Sequence, residues 1–128
     1  MNISTIFLRT GMLALIAGIG IGMAMGITGH FEFRHAHAHT NLVGWASMMI
    51  YGFFYRLFPD AAAGLLPRIH AALAIPALVL MIAGTLLIAQ GDLAYLGVMV
   101  VGELIMAVSV LLFAYILFRA TARRPAEA

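Results

Sequence analysis

Four stretches of this chain, residues 6–27, 35–58, 67–89 and 93–118, stay apolar for longer than a helix of a soluble domain usually does. A helix rises about 1.5 Å per residue, so about 20 apolar residues cross the roughly 30 Å hydrocarbon layer of a bilayer. A strand in that layer would leave backbone groups unpaired, whereas a helix satisfies its own. Composition agrees: 64% of the 128 residues are apolar and 9% are charged, where a soluble domain has about a quarter charged. The connections, residues 28–34, 59–66 and 90–92, are rich in Gly, Pro, Asp or charge and too short to hold a second domain. The expected fold is all-α, a single integral-membrane four-helix bundle.

With four spans the two termini share a side of the membrane, and arginine placement sets which. Arg9, Arg56, Arg68, Arg119, Arg123 and Arg124 fall on the side of the termini, and Arg34 alone on the other. The positive-inside rule then expects both termini in the cytoplasm of a bacterial-type inner membrane and the histidine-rich first connection outside. An apolar run after one arginine also resembles a secretory signal. Its length of about 20 residues, and the lack of a small-x-small cleavage site preceding a soluble mature domain, favour a retained helix. Net charge is +2, with the basic residues scattered, so no nucleic-acid partner is expected.

The chain has no cysteine, which removes disulfides, iron–sulfur clusters and zinc–thiolate sites and leaves histidine and carboxylate as the strong metal ligands. Three of the five histidines alternate in His35-Ala36-His37-Ala38-His39, at the outer end of the second span. At about 100° per residue, His35 and His39 share one face, while His37 points about 200° from His39. One helix thereby offers imidazoles to both flanks. Burying imidazole in hydrocarbon is costly unless it is ligated or hydrogen-bonded, so such residues mark a site. A haem suits apolar walls with paired imidazoles. A zinc or copper site built from His30, Glu32, His35 and His39 is the competing reading.

The run from His37 to Pro59, with His37-x-His39, Gly44-Trp45, Gly52, Tyr55 and Pro59, resembles the haem-ligating tenth helix of the catalytic subunit of haem-copper oxidases. It is most similar to the C-family oxidases and the nitric oxide reductases. His39-Thr40-Asn41 also resembles the second helix of that subunit, and the segments from Arg68 and from Gly102 resemble its later helices more faintly. The resemblance implies haem b, with His39 on a low-spin haem and His37 on a high-spin one. That catalytic subunit has twelve helices in three arcs of four, so one four-helix chain implies a homotrimer with each haem between His39 of one copy and His37 of the next. A homodimer with two copies of His39 on one haem is the alternative. The family's copper site uses an adjacent His-His pair that this sequence lacks, so the resemblance does not extend to reduction of oxygen to water.

Arg34, beside His35, is the candidate partner for haem propionates, and Trp45 the candidate for stacking on a haem edge. Gly18, Gly22 and Gly26 recur every fourth residue, with Gly11 a heptad earlier. That stripe admits a close neighbour, either another helix of the chain, a second subunit or a flat cofactor. Glu103 falls near the middle of the fourth span and is expected to serve a proton relay or an inter-subunit hydrogen bond. Pro76 is expected to kink the third span, and Asn41 and Ser47 to bond across helices or to their own backbone. His70, at the cytoplasmic end of the third span, is expected as an interface residue bonded to a neighbour. The functions that follow are electron transfer with a redox partner, binding of a diatomic gas, or a haem-free role as a copper- or zinc-binding protein or an assembly subunit of a respiratory complex.

Overall fold

The computed structural model describes residues 2–122; every regular element among them is helical, and there is no strand among them. Arg123 and Arg124, counted above for orientation, lie outside the described residues. Helix α1 spans Ile3–Thr28. It starts at Asn2, whose side-chain oxygen accepts from the Ser4 N–H at 3.0 Å, a local bond that satisfies one of the first-turn donors. It stops at Gly29, which takes a left-handed φ of 74° and donates to the Met25 carbonyl, a conformation that glycine adopts without a Cβ penalty.

The second span departs from a plain helix. It runs as α2 (Arg34–His39), a wider π-helical segment (Thr40–Ser47) and α3 (Met48–Leu57). Thr40 and Ser47 bond back to the carbonyls of Ala36 and Leu42, and the Ser47 bond spans five residues. Hydroxyl and amide side chains of this kind compete with the regular ladder, and apolarity alone does not reveal the competition. Three helical stretches are individually long and apolar enough to cross a membrane: Ile3–Thr28, Leu66–Ala89 and Leu93–Ala122. The sequence gives the second span the same length, but here it is subdivided.

Helices α4 (Leu66–Ala89) and α5 (Leu96–Ala122) form a tight hairpin across a turn in which Gly91 takes a φ of 90°. Pro76 lies inside α4, which continues through it. Close approach sets the hairpin's spacing. A Cβ on Gly102 would lie 2.7 Å from the Met81 nitrogen, and one on Gly84 would lie 2.8 Å from the Met99 Cα. Many large apolar side chains, among them Leu13, Ile16, Leu42, Val79, Leu111 and Phe118, point outward. Apolar exposure on this scale fits a lipid surface rather than water.

All the long helices meet in one aromatic core. Phe7 from α1, Tyr51 and Tyr55 from α3, His70 from α4 and Phe113 from α5 are buried together. The His70 ring lies 4.8 Å from Phe7, 4.6 Å from Tyr51 and 5.3 Å from Phe113, centroid to centroid. Tyr55 Oη and His70 Nδ1 are hydrogen-bonded at 2.9 Å, and His70 Nε2 has no partner among the described residues. His70 thus has the expected bond to a neighbour, and it is fully buried among the rings of the core. Tyr55→Phe should strand the second ring nitrogen as well and cost about 1–3 kcal/mol. Tyr55→Phe with His70→Phe should recover part of that loss, as read by thermal unfolding of the two variants in detergent.

Candidate functional site

The site is built on the first turns of the second helical run. Helix α2 presents Ala36 inward and continues through the buried Thr40, Gly44 and Met48. This buried line fixes where the histidines face. His35 is exposed, while His37 and His39 are half-buried.

His37 turns toward α1. Its Nδ1 donates to the Gly18 carbonyl at 2.9 Å, and its ring lies over Gly22, where an added Cβ would sit 2.8 Å from Cε1. Asn41, one turn on, fits against Gly18 in the same way and donates from Nδ2 to the His37 carbonyl at 2.8 Å. Because the Gly18 carbonyl can only accept, His37 Nδ1 carries the proton. The 3.3 Å approach of Asn41 Nδ2 to that nitrogen therefore brings two donors together and adds no bond. The glycine stripe thus seats a helix of the same chain at Gly18 and Gly22, and at Gly11 it seats Met48 and Met49. Gly26 has open space around it. Gly22→Val should push the His37 ring off α1, read as a shifted imidazole resonance and a lower unfolding temperature.

His39 faces away from that seat. Its Nδ1 donates to the His35 carbonyl at 2.8 Å, one turn back. In both His37 and His39 a carbonyl holds the Nδ1 proton, so in the neutral ring Nε2 carries the lone pair. This is the arrangement that metal-ligating histidines adopt. On the uncovered side of the helix lie His35, Leu42 and Trp45, the last 39% exposed. Trp45 sits within the wide segment, so its angular position relative to His39 differs from that of a regular helix. Arg34 is exposed, and its Nη1 donates to the Phe31 carbonyl at 3.5 Å.

In the connection before α2, His30 Nδ1 meets Glu32 Oε1 at 2.7 Å. The Glu32 carboxyl is held below its usual value of 4.5, first by a bond from its own backbone N–H and then by His30. A lowered carboxyl stabilises the ordered connection above pH 4.5 and loses that effect as pH falls through the lowered value. Acidification below 4.5 should therefore loosen residues 28–33, read as faster amide exchange there, with the helices unaffected. His30, Glu32, His35 and His39 do not converge: among the described residues no three His, Asp or Glu side chains are placed to hold one metal ion. Glu103 is half-buried on α5, with no hydrogen-bond or ion-pair partner among the described residues.

Among the described residues the arrangement is all-helical, with three membrane-length apolar helices and two imidazoles on one helix whose Nδ1 protons lie on backbone carbonyls. No known protein family model matches the sequence, and searches of curated proteins and of solved structures found no match. The likeness to haem-copper oxidases accordingly rests on the residues quoted for it above.

Proposed function

We propose that the chain is a four-span protein of a bacterial inner membrane that binds haem b at the outer side through His39 and His37. In this reading Arg34–Leu57 forms one span despite its wide segment, both termini are cytoplasmic, and the chain assembles as a homotrimer, with a homodimer as the alternative geometry. One observation carries it: both histidines fix their Nδ1 protons on backbone carbonyls, leaving the Nε2 lone pairs that an axial ligand needs. The donor set also fits the group chemically, because an imidazole on the same helix as the exposed Leu42 and Trp45 suits an apolar macrocycle. Arg34, exposed at the start of the helix, is the residue to meet the propionates.

A haem held by His39 and His37 would supply one-electron transfer to a redox partner or binding of a diatomic gas. The protein's part is to hold the imidazole tautomers and to present them from a helix seated on α1. The reduced optical spectrum of the purified protein, before and after carbon monoxide, tests the reading. Two imidazoles per iron give a low-spin spectrum indifferent to carbon monoxide, and an open position gives one that shifts. A preparation without a Soret band after expression with ample haem overturns the proposal in favour of the haem-free classes. Cross-linking in the membrane then separates three subunits from two.

A further inference from the structure

We infer that the arginine end of the molecule holds a site for the phosphate headgroup of an anionic membrane lipid, in the cavity between the start of α1, the end of α3 and the start of α4. This cavity of about 780 Å³ is lined by Asn2, Ile6, Tyr55, Arg56, Arg68 and Ala71, among others. Its volume lies within the range of small-molecule sites, roughly 300–1,000 Å³. It lies at the far end of the second helical run from the histidines, and it is independent of the haem reading.

Three observations identify the occupant. Arg56 and Arg68 both line the cavity, both are exposed, and neither has a hydrogen-bond or ion-pair partner among the described residues. Among the described residues no carboxylate lines it, whereas the neighbouring cavity that contains Arg119 also contains Asp60. Every element contributing to the wall does so near its terminus, where the long apolar helices end. The cavity is therefore at headgroup depth, with apolar wall residues on the side of the helices for the upper part of an acyl chain. Guanidinium groups bind phosphate through charge-assisted, often bidentate hydrogen bonds. Basic pockets between membrane helices are suited to anionic headgroups for the same reason.

Native mass spectrometry of the full chain released from nanodiscs of mixed phosphatidylglycerol and phosphatidylcholine tests this inference. The wild-type protein should retain phosphatidylglycerol in preference to phosphatidylcholine. Arg56→Gln with Arg68→Gln should weaken that retention by about tenfold to thirtyfold, the loss expected for two arginines near the membrane surface. Arg119→Gln removes a charge from the same end without touching the cavity and should weaken retention by no more than about fivefold, the loss expected for one charge near the membrane surface. Since Arg56 and Arg68 are exposed, the double variant should unfold at the wild-type temperature in pure phosphatidylcholine. Should it fail to fold, Arg56→Lys with Arg68→Lys keeps the charge and should show an intermediate retention. Equal retention by wild type and the charge-removing or lysine variants overturns the site. So does an equal loss in Arg119→Gln, or displacement of the lipid by millimolar inorganic phosphate.

Discussion

Replacing His39 by alanine should remove the Soret band of the purified protein almost completely, while the helical content and the assembly of the chain remain. The side chain is half-buried, and its one hydrogen bond is local, to the His35 carbonyl, so little of the fold depends on it. Its loss would instead delete the Nε2 donor on the uncovered flank. Haem content per chain, read from the pyridine haemochrome spectrum, should fall by more than tenfold, and unchanged content would refute the ligand assignment. His37→Ala discriminates between the assemblies. If the trimer is right, it should leave haem bound with a high-spin remnant, because the His39 donor on the uncovered flank persists, whereas His37 is held against α1. For the dimer it should be nearly silent spectroscopically. Stability responds differently: His37 is anchored to α1 through the Gly18 carbonyl, so this variant should also loosen the upper half of that helix pair.

The largest effect on folding is expected from the α4/α5 hairpin. At Gly84 and Gly102 an added Cβ would meet backbone atoms of the partner helix, the Met99 Cα at 2.8 Å and the Met81 nitrogen at 2.7 Å. A flexible side chain could move aside, but a helix backbone cannot move at one point without tilting along its length. Each glycine-to-alanine change should therefore cost about 1–3 kcal/mol, the usual range for overpacking. The two positions lie on the same interface, so the double variant should be less than additive once the helices have separated. Unfolding temperature in detergent measures both. Gly26→Ala, where the space is open, is the matched control and should be neutral or slightly stabilising, because glycine is the poorer helix former.

The apolar runs marked the helices to within a few residues, because length and the absence of charge are properties of the chain itself. The histidine geometry was also legible: the spacing of His37 and His39 implied opposite flanks, and they do take different partners. The wide segment at Thr40–Ser47 was hidden, since apolar patterning reports which residues avoid water and says little about how the backbone ladder is closed. Asn41 and Ser47 were recognised as able to bond to their own backbone, but which carbonyl each would choose depends on the neighbouring helix. The Gly18 and Gly22 seat had a signal of its own. Both pairs, Gly18 with Gly22 and His37 with Asn41, step by four residues, so two matching registers lie in the sequence. Only packing shows that they face each other.

The burial of His70 in the aromatic core could not be read from depth along the span alone. It required Phe7, Tyr51, Tyr55 and Phe113 to converge from three other helices. The outcome divides the molecule chemically. One end of the second helical run carries imidazoles at least partly exposed, and the other abuts an imidazole closed in by rings.

The wide turn between these two ends acts as a phase adjuster. Each residue of a regular helix advances the face by about 100°, so the relation between His37 on Gly22 and Tyr51 beside Phe7 depends on how many residues the segment from Thr40 to Ser47 takes to complete its turns. Removing one residue there would rotate the histidine end against the aromatic end by roughly a quarter turn or more, and no single rotamer change could restore both contacts. Length in this short stretch is therefore under tighter constraint than side-chain identity at its outward positions. The helix tolerates a change of residue at Leu42 more readily than the loss of one.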